Sequence, residues 1–224
     1  MRRKDINPNT PELWDRLLFE KNRELLASDF YKDKINRIYK FLKNRKGRFL
    51  DVGVGMGNLE SKMLRDGTKL DIHGVDISPK AIFRAKKRLK GQFYISRAES
   101  LPFKDSYFDV VALIDVLEHV DEAKSITTLR ESNRVLKRHG HLIVSVPINE
   151  DLVDLIRTKR NTNEHMREFT PEILGNELAL ADFSVIKKDL LYAFSKFYYL
   201  KSLIMRFIPG YRKPNLLIMF SRKK

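Results

Sequence analysis

The strongest constraint on the fold is a change of texture at Arg48. From there short apolar runs (Phe49 to Val54, Leu70 to Ile77, Gln92 to Ser96, Phe108 to Ile114, His141 to Val146) alternate with charged stretches of helical length (Asn58 to Leu64, Pro79 to Leu89, Glu122 to Leu136). Strands separated by helices are joined by crossovers rather than hairpins and lie parallel. Right-handed crossovers then place helices on both faces of a doubly wound α/β sheet. Phe183 to Leu191 and Asn215 to Phe220 are β-compatible, which raises the expected sheet to seven strands, mostly parallel with an antiparallel C-terminal strand. Thr170-Pro171 predicts a further helix through Leu180, with threonine as N-cap and proline at the first helical position.

Before this core, apolar positions at helical spacing (Leu13, Leu17, then Ile35, Ile38, Tyr39, Leu42) predict two helices within residues 11 to 45. A length of 224 residues suits one domain. We divide it into an N-terminal helical cap over 1–47, a core over 48–182, and C-terminal strands over 183–224 that carry an inserted apolar and basic helix. The absence of cysteine excludes disulfides, thiolate catalysis and thiolate-ligated zinc. The Met1 to Asp5 start leads into no apolar signal core, and no apolar stretch reaches the roughly 18 residues that span a bilayer, so the expected location is cytoplasmic, with peripheral membrane contact left open.

The net charge of +15 is unevenly placed: basic minus acidic residues run 14 minus 7 over 1–48, 20 minus 21 over 49–182, and 10 minus 1 over 183–224. Basic ends on a neutral core are compatible with solvated surfaces, an anionic substrate, RNA or a lipid surface.

Asp51, Gly53, Gly55 and Gly57, spaced by two, close the first strand and open the following helix. Glycines allow a tight turn and close approach of a ligand to the backbone, and the helix start offers free amides. A dinucleotide loop places its third glycine at the sixth position; from Gly53 that position is Asn58, which disfavours a dehydrogenase. The second strand ends in Asp76-Ile77, where a carboxylate can accept both hydroxyls of a ribose. Asp76 could instead cap the helix at Pro79, a task open equally to Ser78.

Further along, Ala98-Glu99-Ser100-Leu101-Pro102-Phe103 through Phe108-Asp109, then Asp115-Val116-Leu117-Glu118-His119-Val120, Arg134 to Gly140 and Ser145-Val146-Pro147 resemble class I S-adenosylmethionine-dependent methyltransferases, over about Phe49 to Phe183. Within that class the strand ends and His165 to Thr170 resemble the type 11, ubiquinone-biosynthesis-like small-molecule group. The resemblance implies a Rossmann-like fold and S-adenosyl-L-methionine as cofactor. By it, the glycine turn (Asp51, Gly53, Gly55, Gly57) takes the methionine end, Asp76 and Ile77 the ribose region, Ala98 and Glu99 the adenine edge, and Asp115 faces the cofactor. Many relatives carry an aspartate before the Ala-Glu pair; here it is Arg97, which cannot accept a hydrogen bond, so Glu99, a backbone carbonyl or packing alone must hold adenine.

Three roles compete for Asp115, Glu118 and His119. His119 acts as general base with Asp115 beside the cofactor. Alternatively Asp115, Glu118, His119 and His165 bind a divalent metal, as a similar acidic-x-x-Glu-His arrangement in ubiquinone-biosynthesis and small-RNA methyltransferases implies, although Asp in first place shortens the reach. In the third, these residues shape the pocket and proximity does the catalysis. His73, inside the second strand, reads as a core or cross-strand residue, and no role is assigned to His139 and His141, which flank Gly140. Trp14 either covers the active site or anchors its helix. Ala193 to Ile208, stopped by Pro209-Gly210, is aromatic and aliphatic; its cations Lys196, Lys201 and Arg206 spread around a helix instead of forming one polar face, which weakens a membrane-surface reading beside a lid, a homodimer contact or ordinary core. The leading function is methyl transfer, preferably to oxygen, on a small lipophilic or quinone-like acceptor. RNA methylation and a non-catalytic cofactor-binding scaffold are the alternatives.

Overall fold

The computed structural model describes residues 9–20, 27–158, 164–194, 196–205, 207–208 and 212–224. Met1 to Asp5, Arg206 and Pro209-Gly210, each used in the sequence reading, lie outside the described residues.

Two helices, α1 (Pro11–Glu20) and α2 (Asp29–Leu42), lead into a sheet whose strands are β1 (Lys46–Val52), β2 (Lys69–Asp76), β3 (Gln92–Ile95), β4 (Phe108–Ile114), β5 (Leu136–Pro147), β6 (Phe183–Leu191) and β7 (Leu216–Lys223). Their order is β3-β2-β1-β4-β5-β7-β6. Neighbours are parallel except β7, which runs antiparallel to both β5 and β6. The expected seven-stranded, mostly parallel sheet is therefore present. Because the chain moves outward from β1 to β3 and then returns to β4, a crevice opens at the carboxyl ends of β1 and β4.

Period-two alternation fills two cores. Leu50, Val111, Leu113, Leu142 and Val144 join one cluster, with Leu129, Leu174 and Leu178 from α5 (Glu122–Val135) and α7 (Pro171–Leu180). Phe49, Val110, Ala112 and Ile143 point the other way, to Ile38 and Leu42 of α2, Met63 of α3 (Asn58–Arg65) and Ile82 of α4 (Pro79–Arg88). Strands buried on both faces are what helices on both sides require. His73 is core as expected, 1% exposed and ringed by Phe103, Tyr107 and Phe108.

Local chemistry starts the helices. The Thr170 hydroxyl accepts from the Ile173 amide at 3.2 Å, and Ser78 does the same for Ala81 at 3.0 Å, each ahead of a proline at the first position. The capping of α4 thus falls to Ser78 and leaves Asp76 free for another task.

Three boundaries differ from expectation. The fifth strand, expected over His141 to Val146, starts at Leu136 and carries a bulge around Gly140: the register steps from Phe108↔Leu136 to Val110↔His141, with His139 at φ 62°. A short helix, α6 (Leu152–Arg157), had no clear periodic signal. In the C-terminal insertion only α8 (Tyr198–Ile204) is helical. Lys196 precedes it and Lys201 lies within it, so these two cations do not share one helix surface as expected. Among the described residues no helix is long and apolar enough to cross a membrane.

Candidate active site

The glycine turn leaves β1 as a continuation of the sheet, with the Gly53 and Val54 amides donating to the Val75 carbonyl at 2.8 and 3.0 Å. Gly53 has φ +87°, and a Cβ there would sit 2.7 Å from Val116 Cγ2. Gly57, the N-cap of α3, has φ +68°, and a Cβ would meet Leu89 Cδ1 at 2.4 Å. Both positions require the absence of a side chain.

Asp76 ties this turn to the next. Its Oδ2 accepts from the Gly55 amide and its Oδ1 from the Ser78 amide, both at 2.8 Å. Burial pushes this carboxyl up from its ordinary range, against those two amide bonds. A carboxylate oxygen can accept more than one hydrogen bond, so Asp76 retains acceptor capacity on the cleft side.

The cleft beside it encloses about 190 Å³. Gly53, Gly55, Asp76 and Ile77 form one wall, and Ala98, Glu99, Asp115 and His119 continue around it. Asn9 and Trp14 close it from the cap, with the Trp14 indole donating to Asn9 Oδ1 at 2.7 Å. Asp51 and Gly57 do not line the wall. Asp51 lies underneath, 3% exposed beside the fully buried Glu60. Arg97 turns its Nε onto Glu99 Oε1 at 2.7 Å, fixing the carboxylate at the cleft edge. Amide-rich turn, buried carboxylate, apolar Ile77 and Ala98 and underlying acid fit an adenosine carrying a positively charged amino-acid tail.

Asp115 adopts a left-handed backbone, φ 54°, held by its amide on the Ser145 carbonyl at 3.0 Å. Ser145 Oγ donates to its Oδ1 at 2.7 Å, and Lys34 of α2 donates to its Oδ2. Burial works against its charge, but Lys34 and Ser145 prevail and hold the carboxyl below its usual range.

Glu118, His119 and His165 come together, each offering an atom within 4.8 Å of the others. Asp115 is outside that group, which departs from the four-residue metal set of the sequence reading. His165 Nδ1 lies 2.7 Å from Glu150 Oε2, and His119 Nδ1 lies 3.4 Å from the Glu164 carbonyl. The His119 ring meets Trp14 edge-on at 4.6 Å and His165 at 5.0 Å. Burial, then His165, push His119 down to about 4, so its imidazole is neutral at pH 7. Burial and Asp115 push the Glu118 carboxyl well up.

Lys34, Glu60 and Glu150 escaped the sequence reading. Lys34 had a legible signal: it stands four residues before Ile38 and eight before Leu42, on the apolar stripe of α2. Glu60 and Glu150 sit among charges with no distinguishing spacing.

The family profile described as "Methyltransferase domain" matches residues 50–144. The demethylmenaquinone methyltransferase of Thermotoga maritima is 33% identical over 127 residues, 50% of this chain and 55% of that protein. An uncharacterised Methanocaldococcus jannaschii protein is 32% identical over 173 residues, 77% of this chain and 68% of that one. The chain spans about half the length of the first curated relatives it matches. Among solved structures, a SAM-dependent methyltransferase from Thermotoga maritima superposes with a TM-score of 0.73 at 25% identity, covering 96% of this chain and 99% of that chain. Profile, relatives and fold agree with the turn and strand-end chemistry: the chain belongs to the class I S-adenosylmethionine-dependent methyltransferases.

Proposed function

We propose that the protein transfers a methyl group from S-adenosyl-L-methionine to an oxygen of a small, lipophilic, quinone-like acceptor. The observation that carries this reading is the meeting, in one cleft, of the glycine turn, Asp76 and a buried neutral His119. When bound, the cofactor supplies a methyl group already activated on a sulfonium. Gly53 and Gly55 let the methionine end approach the backbone, Asp76 accepts the ribose hydroxyls, Ile77 and Ala98 flank adenine, and Glu99 stands at its edge. With the hydrogen of His119 on Nδ1, facing the Glu164 carbonyl, the other ring nitrogen can accept a hydroxyl proton from the acceptor. Asn9 and Trp14 limit water access and hold the acceptor in line.

A quinone-like acceptor is supported by the relative named a demethylmenaquinone methyltransferase. A relative from Desulfotalea psychrophila named a ubiquinone/menaquinone biosynthesis C-methyltransferase supports a second reading, methylation at ring carbon, because removing a phenolic proton activates both sites. Transfer of labelled methyl to hydroxylated quinols, with the product resolved by NMR, separates a methoxy from an aryl-methyl product. No transfer to any such acceptor would sink both readings. His119→Asn should lower kcat by roughly 10²–10⁴-fold without weakening cofactor binding.

A lipophilic acceptor calls for a membrane surface. Phe197, Tyr199, Leu200 and Phe207 are 56–78% exposed, in the 183–224 segment that holds 10 basic residues and 1 acidic. Tyr198 fastens this element to the cap through Asp33 Oδ2 at 2.8 Å, on the same strand-end side as the cleft. The charge complement is an anionic bilayer; a second copy would bring like charges together. Sedimentation with phosphatidylglycerol-containing vesicles but not phosphatidylcholine vesicles, reduced by Phe197→Ser with Phe207→Ser, is the expected result. A stable dimer that those substitutions dissociate would refute it.

A further inference from the structure

Beneath the glycine turn, Asp51 at the end of β1 and Glu60 on α3 are buried as neighbours, 3% and 0% exposed; burial and then the charge of Glu60 push the Asp51 carboxyl well up, and burial pushes Glu60 up as well. Asp51 Oδ1 and both Glu60 oxygens have no hydrogen-bond partner among the described residues. Ionised carboxylates only accept hydrogen bonds and repel one another, so two buried neighbours that receive no donor are relieved when one of them carries a proton. The surroundings reinforce this. Asp76 at the end of β2 and Asp115 after β4 add negative potential at Asp51. Tyr31 of α2 is kept a neutral phenol by burial, with Asn58 donating to its hydroxyl oxygen at 3.0 Å. Lys34, also on α2, is committed to Asp115. Burial and these neighbours disfavour the doubly ionised pair.

We propose that Asp51 and Glu60 share one proton in the free protein and release it to solvent when the ammonium of the methionine end settles on the glycine turn, Glu60 acting as a positioning residue for Asp51. The inference rests on the cofactor reading above. An ammonium on the turn brings a positive charge above the buried pair, which makes the second negative charge favourable. Binding then removes a proton, so affinity rises with pH, by up to tenfold per pH unit for one proton, and levels off once the free pair has lost its proton.

The test is titration calorimetry at pH 7 in buffers of different ionisation heat. S-adenosylhomocysteine should bind with release of close to one proton. Methylthioadenosine, which lacks the amino-acid end, should release none. Glu60→Gln, whose amide can donate to an ionised Asp51, should still bind S-adenosylhomocysteine but release none. Binding of S-adenosylhomocysteine without proton release, or an undiminished release in Glu60→Gln, overturns the proposal. Infrared spectra of the free protein decide it independently: a carboxylic-acid band present at pH 7 and lost in Glu60→Gln is expected, and identical spectra refute it. Failure of S-adenosylhomocysteine to bind in every buffer counts against the cofactor reading, and the infrared comparison still decides whether the pair holds its proton.

Discussion

Replacing Lys34 by Met keeps the length and apolar stem of the side chain but removes the charge that faces Asp115. The lysine side chain is 5% exposed and that of Asp115 36%. Stranding one partner of a fully buried ion pair costs about 3–5 kcal/mol. Here the aspartate opens onto the cleft, where water screens it, and Ser145 Oγ continues to donate to it, so we expect about 2–3 kcal/mol. At roughly 2–4 °C per kcal/mol for a chain of this size, Lys34→Met should melt about 4–12 °C below the parent at pH 7 by scanning calorimetry. Adding Asp115→Asn removes the stranded charge and should recover at least half of the loss. Acid should narrow the gap as well, because Asp115 without Lys34 takes up a proton more readily. A single variant that melts within about 1 °C of the parent, or a double variant no more stable than the single one, would refute the reasoning.

Asp76→Ala removes a carboxylate that also joins two turns; at about 1.5–3 kcal/mol per charged hydrogen bond, S-adenosylhomocysteine affinity should fall at least tenfold in calorimetry. Gly53→Ala forces a positive φ on a Cβ that collides with Val116, and a loss of about 1–3 kcal/mol in denaturant melts is expected. His119 is held at about 4 against an ordinary 6.5. Its burial as a neutral ring therefore stabilises the fold fully above pH 6.5, and that contribution, about 3 kcal/mol, is lost as pH falls from 6.5 through 4; His119→Asn should flatten this part of the pH–stability curve. Dialysis against a strong chelator should leave turnover unchanged, whereas a loss restored by magnesium or zinc would reassign Glu118, His119 and His165 to a metal site.

The core was legible because its signals are local and periodic. Apolar runs of strand length, the glycine spacing and the Thr170-Pro171 start each encode one element without reference to distant residues. The bulge before His141 was not, since it depends on how β4 and β5 align their registers. The site divided in the same way. Asp76, Asp115 and His119 stand at strand ends, where topology alone places them at the crevice. Lys34 and Glu60 reach the same place from helix faces, and only the packing of those helices on the sheet gives them their partners. Glu150 meets His165 through irregular backbone, for which no periodicity exists.

The position of β7 between β5 and β6 has a consequence for synthesis. Segment 183–191 leaves the ribosome before 216–223, the only strand it pairs with among the described residues. Until then β6 and the outer side of β5 both present unsatisfied amides and carbonyls, an invitation to intermolecular pairing. A nascent chain stalled before Leu216 should therefore carry a formed methyl-donor crevice with an open, aggregation-prone flank, and its maturation is the insertion of a single strand into a waiting slot.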